Sequence, residues 1–379
     1  MLILILSLAN FAIGMGVFVA IGLLLPIQQA FGLSEGQSGL ILTIYAITYA
    51  IGSPLLVALS GGLSRRTVLL IGLGIFAASS VAIALAPTSD LLFIARALSA
   101  LGAGLVTPVT AGVASSISAP ERQGKALATV FAGLTFAQVL GVPAGTWIGY
   151  TFGWQSAFWL VAALTVICMA GITRFVPRDL PFQTTDLRSL GQALANWRGL
   201  VIIAFTASFL GAIYVIYTTI APLMETRMGY GRDGITFLLI LFGVGAVLGN
   251  YLGGWLTDKV GPLRTLMALC GAQIVLLPVF SFLPLPEWAL ALLMIVWAVS
   301  GWSFMAAQQV RVLRQSGNRP TVSLALNAAA IYLGATLGSS IGALVIGTWG
   351  LDTLGFVGSG VAMFALAHLL VSERLLKRS

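Results

Sequence analysis

Apolar residues run through this chain in long blocks, and polar residues fall in short clusters between them. Twelve blocks reach the roughly 20 residues that a helix needs to cross the hydrocarbon core of a bilayer. They lie near 3–26, 36–58, 67–86, 91–117, 124–150, 155–175, 199–223, 234–256, 263–284, 288–310, 321–348 and 352–372. Several are long enough to tilt or to extend past the hydrocarbon. The pattern predicts an all-α polytopic membrane protein with twelve transmembrane helices.

The polar clusters orient the spans. With the N-terminus inside, the inner segments hold Arg65 and Arg66, Arg122 and Lys125, Arg174, Arg178, Arg188 and Arg198, Lys259 and Arg264, Arg311, Arg314 and Arg319, and Arg374, Lys377 and Arg378, which is 16 of the 19 basic residues. The outer loops keep only Arg227 and Arg232, beside the acids Glu35, Asp90, Glu225, Asp233, Glu287 and Asp352. Basic residues collect on the cytoplasmic side of membrane proteins, so both termini are expected in the cytoplasm.

Composition agrees. The chain of 379 residues is 59% hydrophobic and 8% charged, against about 25% charged in soluble domains. The net charge of +8 comes from pairs scattered between apolar runs, which fits topology rather than nucleic-acid binding. Cys168 and Cys270 sit mid-run with neither metal spacing nor a disulfide framework. The lone histidine, His368, reads as a packed or interfacial residue. The opening Met1-Leu2-Ile3-Leu4 has no basic segment and no nearby cleavage site, which argues against a cleaved signal peptide.

The longest polar connection runs from about Arg174 to Arg198, and Asp186 is placed to cap a short helix over Leu187–Trp197. It divides the chain into an N-terminal six-helix bundle over 1–176, a cytoplasmic linker over 177–198 and a C-terminal six-helix bundle over 199–379. The halves repeat at a shift of 196 or 197 residues. Pro26 and Gly32 fall near Pro222 and Gly229, and Gly141 and Gly145 fall on Gly338 and Gly342, with Gly334 extending the second series. Internal duplication of this type places a binding site at the midplane, between halves that rock.

One stretch stands out within the repeat. Gly141-Val142-Pro143-Ala144-Gly145-Thr146-Trp147-Ile148-Gly149 sets glycine at every fourth position around a proline. Small residues four apart make a smooth face for close helix approach. That face is either a static packing seam or a sliding contact. The matching series in the other half favours the sliding contact between halves.

These residues resemble the major facilitator superfamily, in particular its twelve-helix drug and sugar efflux branch of arabinose-efflux-permease-like proteins. Leu59-Ser60-Gly61-Gly62-Leu63-Ser64-Arg65-Arg66 resembles the inner-loop signature. Gly253-Gly254-Trp255-Leu256-Thr257-Asp258-Lys259-Val260-Gly261-Pro262-Leu263-Arg264 is a closer echo of it. Arg96-Ala97-Leu98-Ser99-Ala100-Leu101-Gly102 resembles the helix 4 signature, and the Gly141–Gly149 stretch resembles the helix 5 signature of exporters. The resemblance covers nearly the whole chain and implies two pseudo-symmetric six-helix halves with alternating access. Two departures matter. The inner-loop signature carries an aspartate where this chain has Gly61, and similar proteins often carry a helix 1 acid where it has Val17.

The candidate chemistry is sparse. Arg96 lies inside helix 4, where a charge costs about 2.5–3.5 kcal/mol and normally faces a cavity. The other reading is an arginine satisfied by backbone carbonyls or by an amide such as Gln138. Asp90, six residues back, is about 240° round the helix and no obvious partner. No Asp, Glu or Lys lies deep in a span, which favours a neutral or anionic substrate over a cation. Tyr45, Tyr49, Gln138, Tyr214, Tyr217, Asn250, Gln308, Asn327 and Tyr332 are candidate cavity residues, as is Asn10, and each could instead be interhelical glue worth about 0.6 kcal/mol. Trp297 and Trp302 fit a cavity wall or packing. Arg65, Arg66, Asp258, Gly261 and Arg264 are candidate gating residues together with Gly141, Pro143, Gly145, Gly149, Gly338 and Gly342; Asp258 and Arg264 read as an inner-gate latch or a plain exposed ion pair.

No phosphate loop of the GxxxxGK[ST] type and no nucleophile or zinc motif is present. The expectation is therefore a secondary transporter of the inner membrane, not an enzyme, without a cofactor and acting as a monomer. It exports small organic molecules, with protons as coupling ion through Glu35, Glu225 or Asp258. An uptake permease or uniporter without proton coupling is the alternative, and a non-transporting membrane partner protein the remote one.

Overall fold

A computed structural model of the chain describes residues 1–33, 35–178, 180, 186–317 and 319–376. Linker residues 179 and 181–185 and the basic pair Lys377 and Arg378 lie outside them, as do the side chains of Glu35 and Pro143. All described secondary structure is helical. Twelve helices are long and apolar enough to cross a membrane: α1 (Leu2–Gly22), α2 (Leu40–Leu59), α3 (Arg65–Ala84), α4 (Ser89–Ser116), α5 (Gln123–Gly141), α6 (Trp154–Phe175), α7 (Trp197–Tyr217), α8 (Gly234–Val260), α9 (Pro262–Phe282), α10 (Glu287–Gln315), α11 (Pro320–Trp349) and α12 (Leu351–Leu375). They gather into two compact units, one of Met1–Ala193 with Gly317–Ala329, the other of Leu194–Ser316 with Ala330–Ser379.

Proline decides where several spans end or bend. A proline has no N–H for the carbonyl four residues earlier, and its ring crowds that carbonyl. The first and seventh spans therefore stop before the expected ends at 26 and 223. Helix α1 stops at Gly22, four residues before Pro26, and a short helix, Leu24–Phe31, follows. Helix α7 stops at Tyr217, just short of the residue four before Pro222, and Ile220–Met228 follows. Each short helix closes on a left-handed glycine, Gly32 at φ 62 and Gly229 at φ 67, a conformation costly for any residue with a Cβ. The repeat seen in the sequence is thus a repeated break and cap. In α5 the turn Ala137–Gly141, ahead of Pro143, widens to a π-helix, and the chain continues as the helix Val142–Phe152.

At two prolines inside spans, a serine from a neighbouring helix takes the freed carbonyl. Pro108 frees the Gly104 carbonyl, and Ser53 Oγ of α2 donates to it at 2.6 Å. Pro278 frees the Ile274 carbonyl, and Ser359 Oγ of α12 donates to it at 2.9 Å. In lipid a freed carbonyl has no water to accept from, so such serines make interior prolines tolerable.

The remaining expectations divide. Asp186 caps the linker helix, its Oδ1 accepting from Ser189 N at 2.6 Å, but that helix ends at Ala195. Asn196 caps α7 instead, accepting from Gly199 N at 3.2 Å. Arg311, read as a loop residue, lies in the last turns of α10 and is buried. His368 packs α12 on α7: its Nε2–H donates to the Val201 carbonyl at 2.8 Å, leaving Nδ1 to accept from Ser208 Oγ at 2.8 Å. Both cysteines are buried and free.

Candidate functional site

In the first unit, Arg96 organises a polar cluster. It sits two turns into α4 and is 1% exposed. Its Nη1 donates to the Gly16 carbonyl of α1 at 3.0 Å, and its Nε to the Ile41 carbonyl of α2 at 3.4 Å. The guanidinium lies 4.8 Å from the centre of the Tyr45 ring. Tyr45 and Tyr49, one turn apart on α2, are both buried with ring centres 6.2 Å apart. Carbonyl bonds and a desolvated ring face, the latter worth up to about 2 kcal/mol, offset the cost of keeping the charge in a span. Arg96 joins α1, α2 and α4 through main-chain carbonyls.

The second unit carries an aromatic counterpart. Tyr214 and Tyr217, half-buried on α7, stand edge to face at 5.6 Å. The series continues through Phe242 of α8 at 4.8 Å from Tyr217. Trp297 of α10 follows at 5.0 Å from Phe242, and Phe280 lies 4.9 Å from Trp297. Trp297 is fully buried, and its indole N–H donates to Gln273 Oε1 at 3.0 Å while Gln273 Nε2 donates to Ser300 Oγ at 2.9 Å. This Gln273–Ser300 clamp was not among the residues expected from sequence. A glutamine opposite a tryptophan on a neighbouring helix has no local signature.

The other candidates scatter. Gln308 is buried as glue, its Nε2 donating to the Ile202 carbonyl at 2.8 Å. Asn10 likewise joins α1 to α4, donating to Thr110 Oγ1 at 2.9 Å. Asn250 and Asn327 are buried on α8 and α11, Tyr332 is half-buried on α11, and Gln138 is half-buried in the π turn of α5. Of the gating candidates, Arg65 is buried and its Nη2 donates to Thr321 Oγ1 at the start of α11, 2.8 Å away within the first unit. Arg66 Nη1 reaches the Val176 carbonyl at 3.5 Å. Asp258 and Arg264 are exposed. Gly261 makes the turn between α8 and α9 at φ 89, and α9 begins without a side-chain cap.

The nearest neighbours of both glycine series lie within their own units. A Cβ on Gly141 would lie 3.3 Å from Met15 Cγ, one on Gly145 would strike Val19, and one on Gly149 would lie 2.6 Å from Leu23 Cδ2, all residues of α1 or its end. In α11, a Cβ on Gly334 would lie 2.8 Å from Ala207 Cα, one on Gly338 would strike the Gly211 carbonyl, and one on Gly342 would lie 2.7 Å from the Val215 carbonyl, all in α7. Each series packs closely inside one unit, the fifth span and its continuation on the first helix and the eleventh on the seventh. A third series was missed although its spacing is the same: Gly245, Gly249 and Gly253 of α8 meet the carbonyls of Ile295, Val299 and Ser303 in α10.

Comparison with known proteins places this architecture. The sequence model of the Major Facilitator Superfamily matches residues 6–323. This chain belongs to the major facilitator superfamily. It is 32% identical over 372 residues to the inner membrane transport protein YdhP of Escherichia coli strain K12, covering 97% of this chain and 95% of that protein. It is 29% identical to the MFS-type transporter YbcL of Bacillus subtilis strain 168, covering 97% and 94%. The fold is similar to that of FucP, the E. coli fucose:proton symporter crystallised in the outward conformation, with a TM-score of 0.78 at 14% identity and 97% of each chain covered. The superfamily protein is thus a multi-pass membrane transporter and not an enzyme.

Proposed function

We propose that this transporter exports small organic molecules, neutral or anionic, by proton-coupled alternating access of a six-helix half over 1–176 and another over 199–379, joined by a cytoplasmic linker over 177–198, with both termini in the cytoplasm. The observation that carries the substrate class is Arg96. It is a cation held in a span by the Gly16 and Ile41 carbonyls over Tyr45, while the acids of the chain sit at helix ends and in loops. A cation carrier needs a counter-charge in its path, and a buried acid is the usual one. The rings of Tyr45, Tyr49, Tyr214 and Tyr217 suit hydroxyl-bearing and aromatic molecules. Arg65, beside Gly61 where no acid is present for a charge lock, serves as inner gate with Thr321 at the start of α11, and Asp258 with Arg264 serves it at the α8–α9 turn.

A ligand-stabilisation screen of the purified protein across sugars, nucleosides, amino acids, anionic drugs and cations tests the substrate class, followed by transport of the hits in proteoliposomes under an imposed pH gradient. Neutral or anionic hits are expected, with anionic ones lost in Arg96→Ala. Expulsion of a permanent monocation driven by the pH gradient would refute the proposal. A second reading, a uniporter, is favoured by the apolar and buried Val17 in helix 1; transport that ignores the pH gradient would select it.

A further inference from the structure

We infer that the linker helix, Leu187–Ala195, lies in the surface of the cytoplasmic leaflet and holds its anionic phospholipids, with a leucine edge at the acyl boundary and arginines at the phosphates. The choice of leaflet rests on the cytoplasmic linker proposed above; the seating of the helix on the bilayer does not.

The protein leaves this helix uncovered. It has nine residues and none of them is buried. Helices shorter than about 12–15 residues are marginal in water without packing to support them. Its apolar side chains nevertheless form one edge. Leu187, Leu190 and Leu194 recur at helical spacing, and Leu187 and Leu194 are 52% and 49% exposed. Arg188, Ser189 and Gln192 fall on the other faces. The place where the edge is tethered names what covers it. Asn196 alone separates Ala195 from Trp197, the first residue of α7. Leu194 is therefore held within a few residues of the start of a span, and the lipid around that span is the apolar medium within its reach. A protein partner would have to displace the bilayer from a helix tied to it by one residue.

Charge selects the lipid. From Arg174 to Arg198 four arginines stand against Asp179 and Asp186, and Asp186 is engaged in capping the helix. Each span that flanks the linker sets an arginine over an exposed ring. The Arg174 guanidinium is 5.6 Å from the Phe175 ring centre at the end of α6, and that of Arg198 is 5.8 Å from the Trp197 ring centre at the start of α7. Aromatic side chains of this type mark the headgroup level of a bilayer. Basic residues held there attract the anionic lipids of the cytoplasmic leaflet. A helix with leucines on one edge and arginine on another face lies in that plane.

The test uses the full-length protein in nanodiscs, with a nitroxide attached at Leu190→Cys or at Gln192→Cys. Cys168 and Cys270 are buried, so the introduced thiol is the accessible one. Collision of the label with oxygen, which enters lipid, is compared with its collision with a water-soluble nickel chelate. In phosphatidylglycerol discs the oxygen-to-nickel ratio at position 190 should exceed that at 192 severalfold. The gap should narrow in phosphatidylcholine discs, and Arg188→Gln/Arg198→Gln should remove its dependence on the headgroup. Equal ratios at the two positions in phosphatidylglycerol discs, or a gap indifferent to headgroup charge, would overturn the proposal. So would a label at 190 shielded from both reagents, which denotes a protein contact. In right-side-out vesicles an impermeant reductant should spare the nitroxide at 192. Its rapid loss there would overturn the cytoplasmic linker and the leaflet with it, while the gap between 190 and 192 reports the seating on the bilayer independently.

Discussion

The two glycine seams make an instructive pair, because they occupy the same place in the repeat and pack differently. At the end of α5 and in the helix Val142–Phe152 that continues it, Gly141, Gly145 and Gly149 look onto the side chains of Met15, Val19 and Leu23. In α11, Gly334, Gly338 and Gly342 look onto the main chain of α7. The repeat sets Gly141 on Gly338 and Met15 on Gly211. Where α1 presents a methionine, α7 presents a second glycine, and the backbones of α7 and α11 meet. In the first unit the backbone approach falls elsewhere: a Cβ on Gly133 would strike the Ser7 carbonyl, and one on Gly14 would lie 2.8 Å from Ala137 Cβ. A small-residue face on one helix therefore permits close approach, and its partner decides where the approach occurs. Helices in lipid associate by packing and polar contacts rather than by escape from water, so this difference should be visible in stability.

Gly338→Ala should be the most damaging test of the comparison. The added methyl meets the Gly211 carbonyl, which cannot rotate away, so a loss at the upper end of the roughly 1–3 kcal/mol range for overpacking is expected, read as a lowered Tm or loss of the monodisperse peak in detergent. Gly145→Ala in the first unit strikes a Val19 methyl, with the Met15 methyl at an ordinary 3.4 Å. A loss of about 1 kcal/mol is expected, and Val19→Ala in the same chain should recover most of it. Failure of that rescue, or equal damage by the two glycine variants, would dissolve the distinction between the seams.

The smallest effect lies in the linker. Asp186 accepts from both the N–H and the hydroxyl of Ser189, and these bonds hold its carboxyl below the usual carboxylate range. A carboxyl depressed in the folded state stabilises fully above its unfolded pKa and loses that contribution as pH falls through the folded value. The protection of the Ser189 and Leu190 amides, taken relative to the intrinsic exchange rate at each pH, should therefore fall at acid pH in the parent. In Asp186→Ala protection should already be low at neutral pH, with the pH step abolished.

Much of the architecture was legible in the chain. The apolar blocks marked all twelve spans, and the shifted pairs Pro26/Pro222 and Gly32/Gly229 marked the repeated break and cap. The sequence sets the end of each span at the proline itself, and the structure stops it about four residues earlier, near the carbonyl that the missing N–H leaves unpaired. The site was less legible. Arg96 was recognised as a charge in a span, and its carbonyl partners were foreseen only as a class. Gln273 carried no local mark, because its meaning depends on Trp297 and Ser300 reaching it from another helix.

What the sequence by itself determined is the number of membrane-crossing helices, the repeat and the places where proline and glycine end a helix. Those follow from transfer free energies and backbone sterics that act within one segment. What only the tertiary structure decided is which face meets which. The carbonyls that hold Arg96 are 80 and 55 positions away, and the surface met by Gly338 lies on α7. Packing is a property of pairs of distant segments, and one segment alone does not contain it.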